Sequence, residues 1–69
     1  MSKIKIILNG EEKILAQKTT IADLINDLDL DIKKIAIEKD LEIIDIKNFT
    51  TIILEDGNKI EIVHFIGGG

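Results

Sequence analysis

The sequence predicts an α+β fold in which a mixed sheet of four to five strands carries one main helix packed on one face, and three observations carry that prediction. Apolar and polar side chains alternate with a period of two in several short stretches, each ended by turn residues. Only one stretch, 20–28, has its apolar residues at helical spacing. Branched aliphatic residues are abundant, with 17 Ile, 7 Leu and one Val in 69 residues, enough to build a single small core.

The elements follow in order. Ile4, Ile6 and Leu8 alternate with Lys3, Lys5 and Ile7, so the first strand turns Ile4, Ile6 and Leu8 toward a core. Asn9-Gly10 comes next, and both residues tolerate the positive φ of a type I′ hairpin turn. Glu11 to Leu15 returns as a second strand, with Ile14 or Leu15 completing the inward face. Thr20 is the expected N-cap of the helix, and Asp23 three residues later makes a capping-box arrangement with it. Ile21, Leu24, Ile25 and Leu28 then form one apolar stripe suited to lying across a sheet.

Lys34 to Glu38 reads as a third strand, with Ile35 and Ile37 inward. Between Lys39 and Thr50, Leu41, Ile43, Ile44 and Ile46 suggest a short edge strand, and Phe49 an apolar plug beneath a loop. Asp56-Gly57-Asn58 is a turn, and Ile60 to Phe65 forms the last strand. Ile60 and Ile62 share one face of it; Glu61, Val63 and Phe65 share the other. A charged side chain is rarely buried unpaired, so Glu61 marks its face as the open one, which leaves Val63 and Phe65 as exposed apolar residues. Parity puts His64 beside Ile60 and Ile62, where a partly buried structural or partner-contact histidine is expected. No second ligand or nucleophile accompanies it to make a metal or catalytic site. A hairpin, a crossover helix and a last strand parallel to the first make the β-grasp arrangement. The expected division is one domain over 1–66, followed by a flexible glycine tail over 67–69.

Composition removes whole classes of function. Nine Lys, no Arg and 13 acidic residues give a net charge of −4 without a basic stripe, so nucleic acid is not an expected partner and a basic protein surface is the better complement. The absence of Cys excludes a disulfide scaffold and a Cys-based metal site. The longest apolar runs, such as Ile6-Ile7-Leu8, are too short for a membrane span, and no signal-peptide core precedes the first strand. A cytoplasmic protein without membrane association is expected. Asp27, Asp29, Asp31 and Glu38 fall at calcium-loop spacing, but Ile32 stands where the loop needs glycine, and Lys33 and Lys34 bring positive charge. These acids read as a solvated connection, and Glu55-Asp56 as a solvated turn. No metal and no bound cofactor are expected.

Ile66-Gly67-Gly68-Gly69 is the remaining feature. Three residues without Cβ atoms can be threaded in extended form through a narrow slot that a bulkier segment could not enter. A glycine tail by itself is more often a disordered end. Its position directly after a β-strand and an apolar residue is what gives it meaning.

The segment from Asp56 to Gly69, Asp-Gly-Asn-Lys-Ile-Glu-Ile-Val-His-Phe-Ile-Gly-Gly-Gly, resembles the C-terminal block of the thiamine-biosynthesis sulfur carriers, the ThiS family. The likeness extends to the opening strand with Asn9-Gly10, to the Thr20–Leu28 helix and to Ala36-Ile37-Glu38-Lys39-Asp40. Asn58 stands where that family usually has aspartate, and Asp40 where asparagine is common. The resemblance implies a ubiquitin-like protein that is a reactant rather than an enzyme. A ubiquitin-activating-type (ThiF-like) enzyme, using its own Mg and ATP, would adenylate the Gly69 carboxylate. A persulfide supplied by a cysteine desulfurase or another donor would convert it to a thiocarboxylate, and a ThiG-like thiazole synthase would take the sulfur. Gly67 and Gly68 would give the tail access to the partner sites, while Glu61, Val63, Phe65 and Ile66 would dock the body, which is expected to be a monomer when alone. A molybdopterin-type carrier and a ubiquitin-like protein modifier are the alternatives; the absence of proline near the tail favours the thiamine branch over the first.

Overall fold

The computed structural model describes residues 2–65. Strands β1 (Lys3–Leu8) and β2 (Glu11–Ala16) form the opening hairpin, helix α1 (Ile21–Asp27) crosses over, and β3 (Ile35–Lys39), β4 (Glu42–Ile43) and β5 (Lys59–His64) complete one sheet. The strand order is β2-β1-β5-β3-β4. β1 and β5 run parallel at the centre, while the β1–β2, β3–β5 and β3–β4 pairs are antiparallel. The first and last strands are therefore neighbours, as the β-grasp reading requires.

Local chemistry accounts for the turns and caps. Asn9 and Gly10 both adopt positive φ, at 48° and 85°, and join β1 to β2 in the two-residue turn their sequence favours. Thr20 Oγ1 accepts the Asp23 N–H at 3.0 Å, and the Asp23 carboxylate accepts the Thr20 N–H at 3.1 Å, a reciprocal capping box. The remaining N–H groups of the first turn go to a distant loop: Ile21 donates to the Ile52 carbonyl and Ala22 to that of Phe49. These two bonds bind the loop to the helix start and explain why Phe49, only 2% exposed, lies in the core.

The core lies between α1 and one face of the sheet. Ile4 and Ile6 from β1, Leu15 from β2, Ile35 and Ile37 from β3, and Ile60 and Ile62 from β5 meet Ile21, Leu24 and Ile25 of the helix, with Phe49 and Leu54 closing the margin. Burial of each such side chain contributes about 1.5–3 kcal/mol. Leu15, not Ile14, is the inward residue of β2, since Leu15 pairs with Ile4 while Ile14 pairs with Lys5 on the open face.

Two expectations need correction. The edge strand is only Glu42–Ile43; Leu41 sits in the preceding turn with φ 74°, and Ile46 opens a short 3-10 segment, Ile46–Asn48, capped by Asp45. His64 is exposed rather than partly buried. It lies opposite Ile35 at the end of the β3–β5 ladder, whereas β1 pairs with β5 only as far as Ile60, so no strand covers its other flank.

Asp40 and Asn58, the two departures from the resembled pattern, are each other's partner. Asn58 is 8% exposed; its Nδ2 donates to Asp40 Oδ2 at 3.0 Å while its Oδ1 accepts the Glu55 N–H at 2.7 Å. Asp40 Oδ1 in turn accepts the Lys59 N–H at 2.9 Å. The network joins the β3–β4 turn to the start of β5.

Candidate functional site

Side-chain alternation along β5 sorts its residues into two roles. Ile60 and Ile62 anchor the strand in the core, and the intervening Glu61 and Val63 point to the uncovered face, followed by Phe65 just beyond the strand. Val63 is 54% exposed and Phe65 is 61% exposed. β3 backs this region: Glu61 lies opposite Glu38 and Val63 opposite Ala36, and the Phe65 N–H donates to the Lys34 carbonyl at 2.8 Å. The structure thus brings Glu61, Val63 and Phe65 together at one end of the open face. Ile66, Gly67, Gly68 and Gly69 lie outside the described residues.

The same face holds apolar residues that the sequence reading did not assign to a surface. Leu41 is 83% exposed and Ile43 is 78% exposed, and Ile43 lies opposite Glu38, one strand over from Glu61. Ile7, Glu38, Leu41, Lys59 and Glu61 line a shallow groove of about 180 Å³ between the β1–β2 and β3–β4 turns. Ala36 and Glu38 were accessible from sequence, since Ile35 and Ile37 inward force their neighbours outward. Leu41 was not, because it sits at positive φ in a turn that no glycine marks in the sequence.

This arrangement offers an apolar and acidic contact surface. Among the described residues it holds no assembled set of catalytic groups: Glu61 and His64 both lie in β5, but Ile62 and Val63 separate them and they point to opposite faces. Of the acids at calcium-loop spacing, Asp31 serves the backbone, its Oδ1 accepting the Lys33 N–H at 2.9 Å. Among the described residues, no group of three or more His, Asp or Glu side chains is placed to hold a metal ion. None of the described helices is long and apolar enough to cross a membrane.

A mixed sheet with parallel first and last strands and one helix across it, the last strand followed in sequence by a glycine run, defines a ubiquitin-like β-grasp protein. A thiamine biosynthesis protein (ThiS) from Geobacter metallireducens has the same fold, with a TM-score of 0.83 at 22% identity, covering 96% of this chain and all of that one. The sequence model of the ThiS family matches residues 4–69, and this chain belongs to that family. Sulfur carrier protein ThiS of Bacillus subtilis is 40% identical over 63 residues, covering 90% of this chain and 96% of that protein. A thiazole synthase of Paramagnetospirillum magneticum is 39% identical over 66 residues, but the chain spans only 20% of its length.

Proposed function

We propose that this chain is a sulfur carrier for thiamine biosynthesis, a protein co-substrate whose reactive group is the Gly69 carboxylate. The observation that carries the reading is the course of β5: a strand fixed in the core by Ile60 and Ile62 presents Glu61, Val63 and Phe65 outward and runs directly toward the glycine residues, within a family match that reaches residue 69. The similarity to a protein named as a sulfur carrier supports the same reading.

The chemistry follows from the weakness of a carboxylate as an electrophile. An adenylating enzyme, with its own ATP and Mg, lets a Gly69 carboxylate oxygen attack the α-phosphorus; pyrophosphate leaves and an acyl adenylate forms. The terminal sulfur of a persulfide, anionic and strongly nucleophilic at neutral pH, then attacks the acyl carbon and AMP leaves. Reduction of the resulting acyl disulfide by a thiol releases the thiocarboxylate, whose sulfur passes to a thiazole synthase. The match to part of a much longer thiazole synthase supports that enzyme as the acceptor.

The chain's own contribution is delivery. Gly67 and Gly68 keep the approach thin, while Val63, Phe65 and Ile66 dock the body by burying apolar surface and Glu61 favours a basic counterpart. ATP–pyrophosphate exchange with a ThiF-like adenylating enzyme tests the proposal. Exchange dependent on this chain, and strongly reduced by Gly68→Ala, is the expected result. ATP-dependent attachment of the chain to lysines of other proteins would instead mark it as a modifier.

A further inference from the structure

We infer that Asn9 is a positioning residue for the Gly69 reaction: its carboxamide replaces a missing main-chain acceptor on β1 and fixes the direction in which the chain leaves β5. The inference rests on the carrier reading above, because it concerns where the tail is aimed.

The β1–β5 ladder is short. The Ile7 N–H donates to the Asn58 carbonyl at 2.9 Å, and the Asn9 N–H to that of Ile60 at 2.9 Å. With the even spacing of a parallel pair, the next bond would run from the Ile62 N–H to the main-chain carbonyl of Asn9. Asn9, at φ 48°, is already turning into the hairpin. Its side-chain Oδ1 takes the bond instead, accepting the Ile62 N–H at 2.8 Å across 53 residues of sequence. Among the described residues this is the last hydrogen bond that holds β5 from the β1 side; beyond it, Val63 and Phe65 are held only from the opposite flank, by Ala36 of β3 and by Lys34 just before it.

A strand held on both flanks is aimed, whereas one held on a single flank can swing about that ladder. From Ile62 to Phe65 the extended chain spans roughly 10 Å, so a swing of about 10° moves Phe65, from which the tail departs, by roughly 2 Å. A misplacement of about 1 Å at a reacting centre is already costly. The turn itself does not need the carboxamide, since glycine satisfies positive φ better than asparagine does. Asparagine and aspartate are the residues that tolerate this φ and also carry an acceptor oxygen.

The test compares the full chain, Asn9→Gly and Asn9→Asp in ATP–pyrophosphate exchange with a ThiF-like adenylating enzyme, with amide hydrogen exchange read on the same proteins. Asn9→Gly keeps the turn and removes the acceptor. Its kcat is expected to fall roughly three- to tenfold, the range of one hydrogen bond, with KM changed by no more than about twofold. The Ile62 amide should exchange faster to a similar degree while the Ile6 and Ile37 amides stay protected. Asn9→Asp keeps both the acceptor and the tolerance of positive φ, and restores kcat. Wild-type kcat in Asn9→Gly would overturn the inference, as would an equal loss in Asn9→Asp or an effect confined to KM. Absence of exchange with the unaltered chain would instead overturn the carrier reading itself.

Discussion

Replacing Asn58 by aspartate would put a second carboxylate where Nδ2 now donates to Asp40 Oδ2 at 3.0 Å. The change keeps the acceptor for the Glu55 N–H, so what is lost is one donor to a charged group, worth about 1.5–3 kcal/mol. Repulsion adds to that loss. Charge centres about 4 Å apart repel by about 4 kcal/mol at an effective dielectric of 20 and about 1 kcal/mol in water. The Asp40 side chain is 47% exposed, so solvent screening moves the value toward the lower figure. We therefore expect Asn58→Asp to destabilise the fold by about 3 kcal/mol at neutral pH. With a urea slope near 1 kcal/mol/M, the unfolding midpoint falls by about 3 M. The double variant Asp40→Asn with Asn58→Asp reverses donor and acceptor and should recover most of the loss. An Asn58→Asp midpoint within about 0.5 M of wild type, or a double variant no better than the single, would refute the account of this pair.

Other consequences follow from the same structure. Ile60→Ala removes a fully buried side chain at the centre of the sheet and should cost about 2–5 kcal/mol, read as a lower urea midpoint. Thr20→Ala removes the side-chain half of the capping box and should cost about 1 kcal/mol in the same assay. Val63→Asp and Phe65→Ala alter exposed positions and should leave stability within about 0.5 kcal/mol. Both should weaken binding to the adenylating enzyme by roughly tenfold or more in calorimetric titrations, and unchanged affinity would remove the docking role.

Most of the fold was legible because its determinants are local. Alternation in β1 and β5, positive-φ tolerance at Asn9-Gly10 and the Thr20–Asp23 cap each lie within a few residues and fall where the sequence puts them. The stretch from Lys39 to Leu54 was less legible because its order comes from distant partners. Phe49 is buried because the loop carbonyls cap α1, and Leu41 is exposed because the Asp40–Asn58–Lys59 bonds hold the β3–β4 turn in place. His64 was placed on the correct face but with the wrong exposure, since parity along one strand does not report where its neighbour ends. Of the proposed docking residues, Glu61, Val63 and Phe65 could be placed by parity; the positioning role of Asn9 could not, because its carboxamide meets Ile62 only after the whole chain has folded.

The central claim is that the reactive group is the carboxylate of Gly69. Mass spectrometry of the intact chain, followed by fragmentation of its C-terminal peptide after incubation with adenylating enzyme, ATP and a persulfide donor, tests it most directly. The account predicts a mass gain equal to replacement of one oxygen by sulfur, carried entirely by the fragment containing Gly69. An unchanged mass, or a gain located in any other fragment, would contradict it.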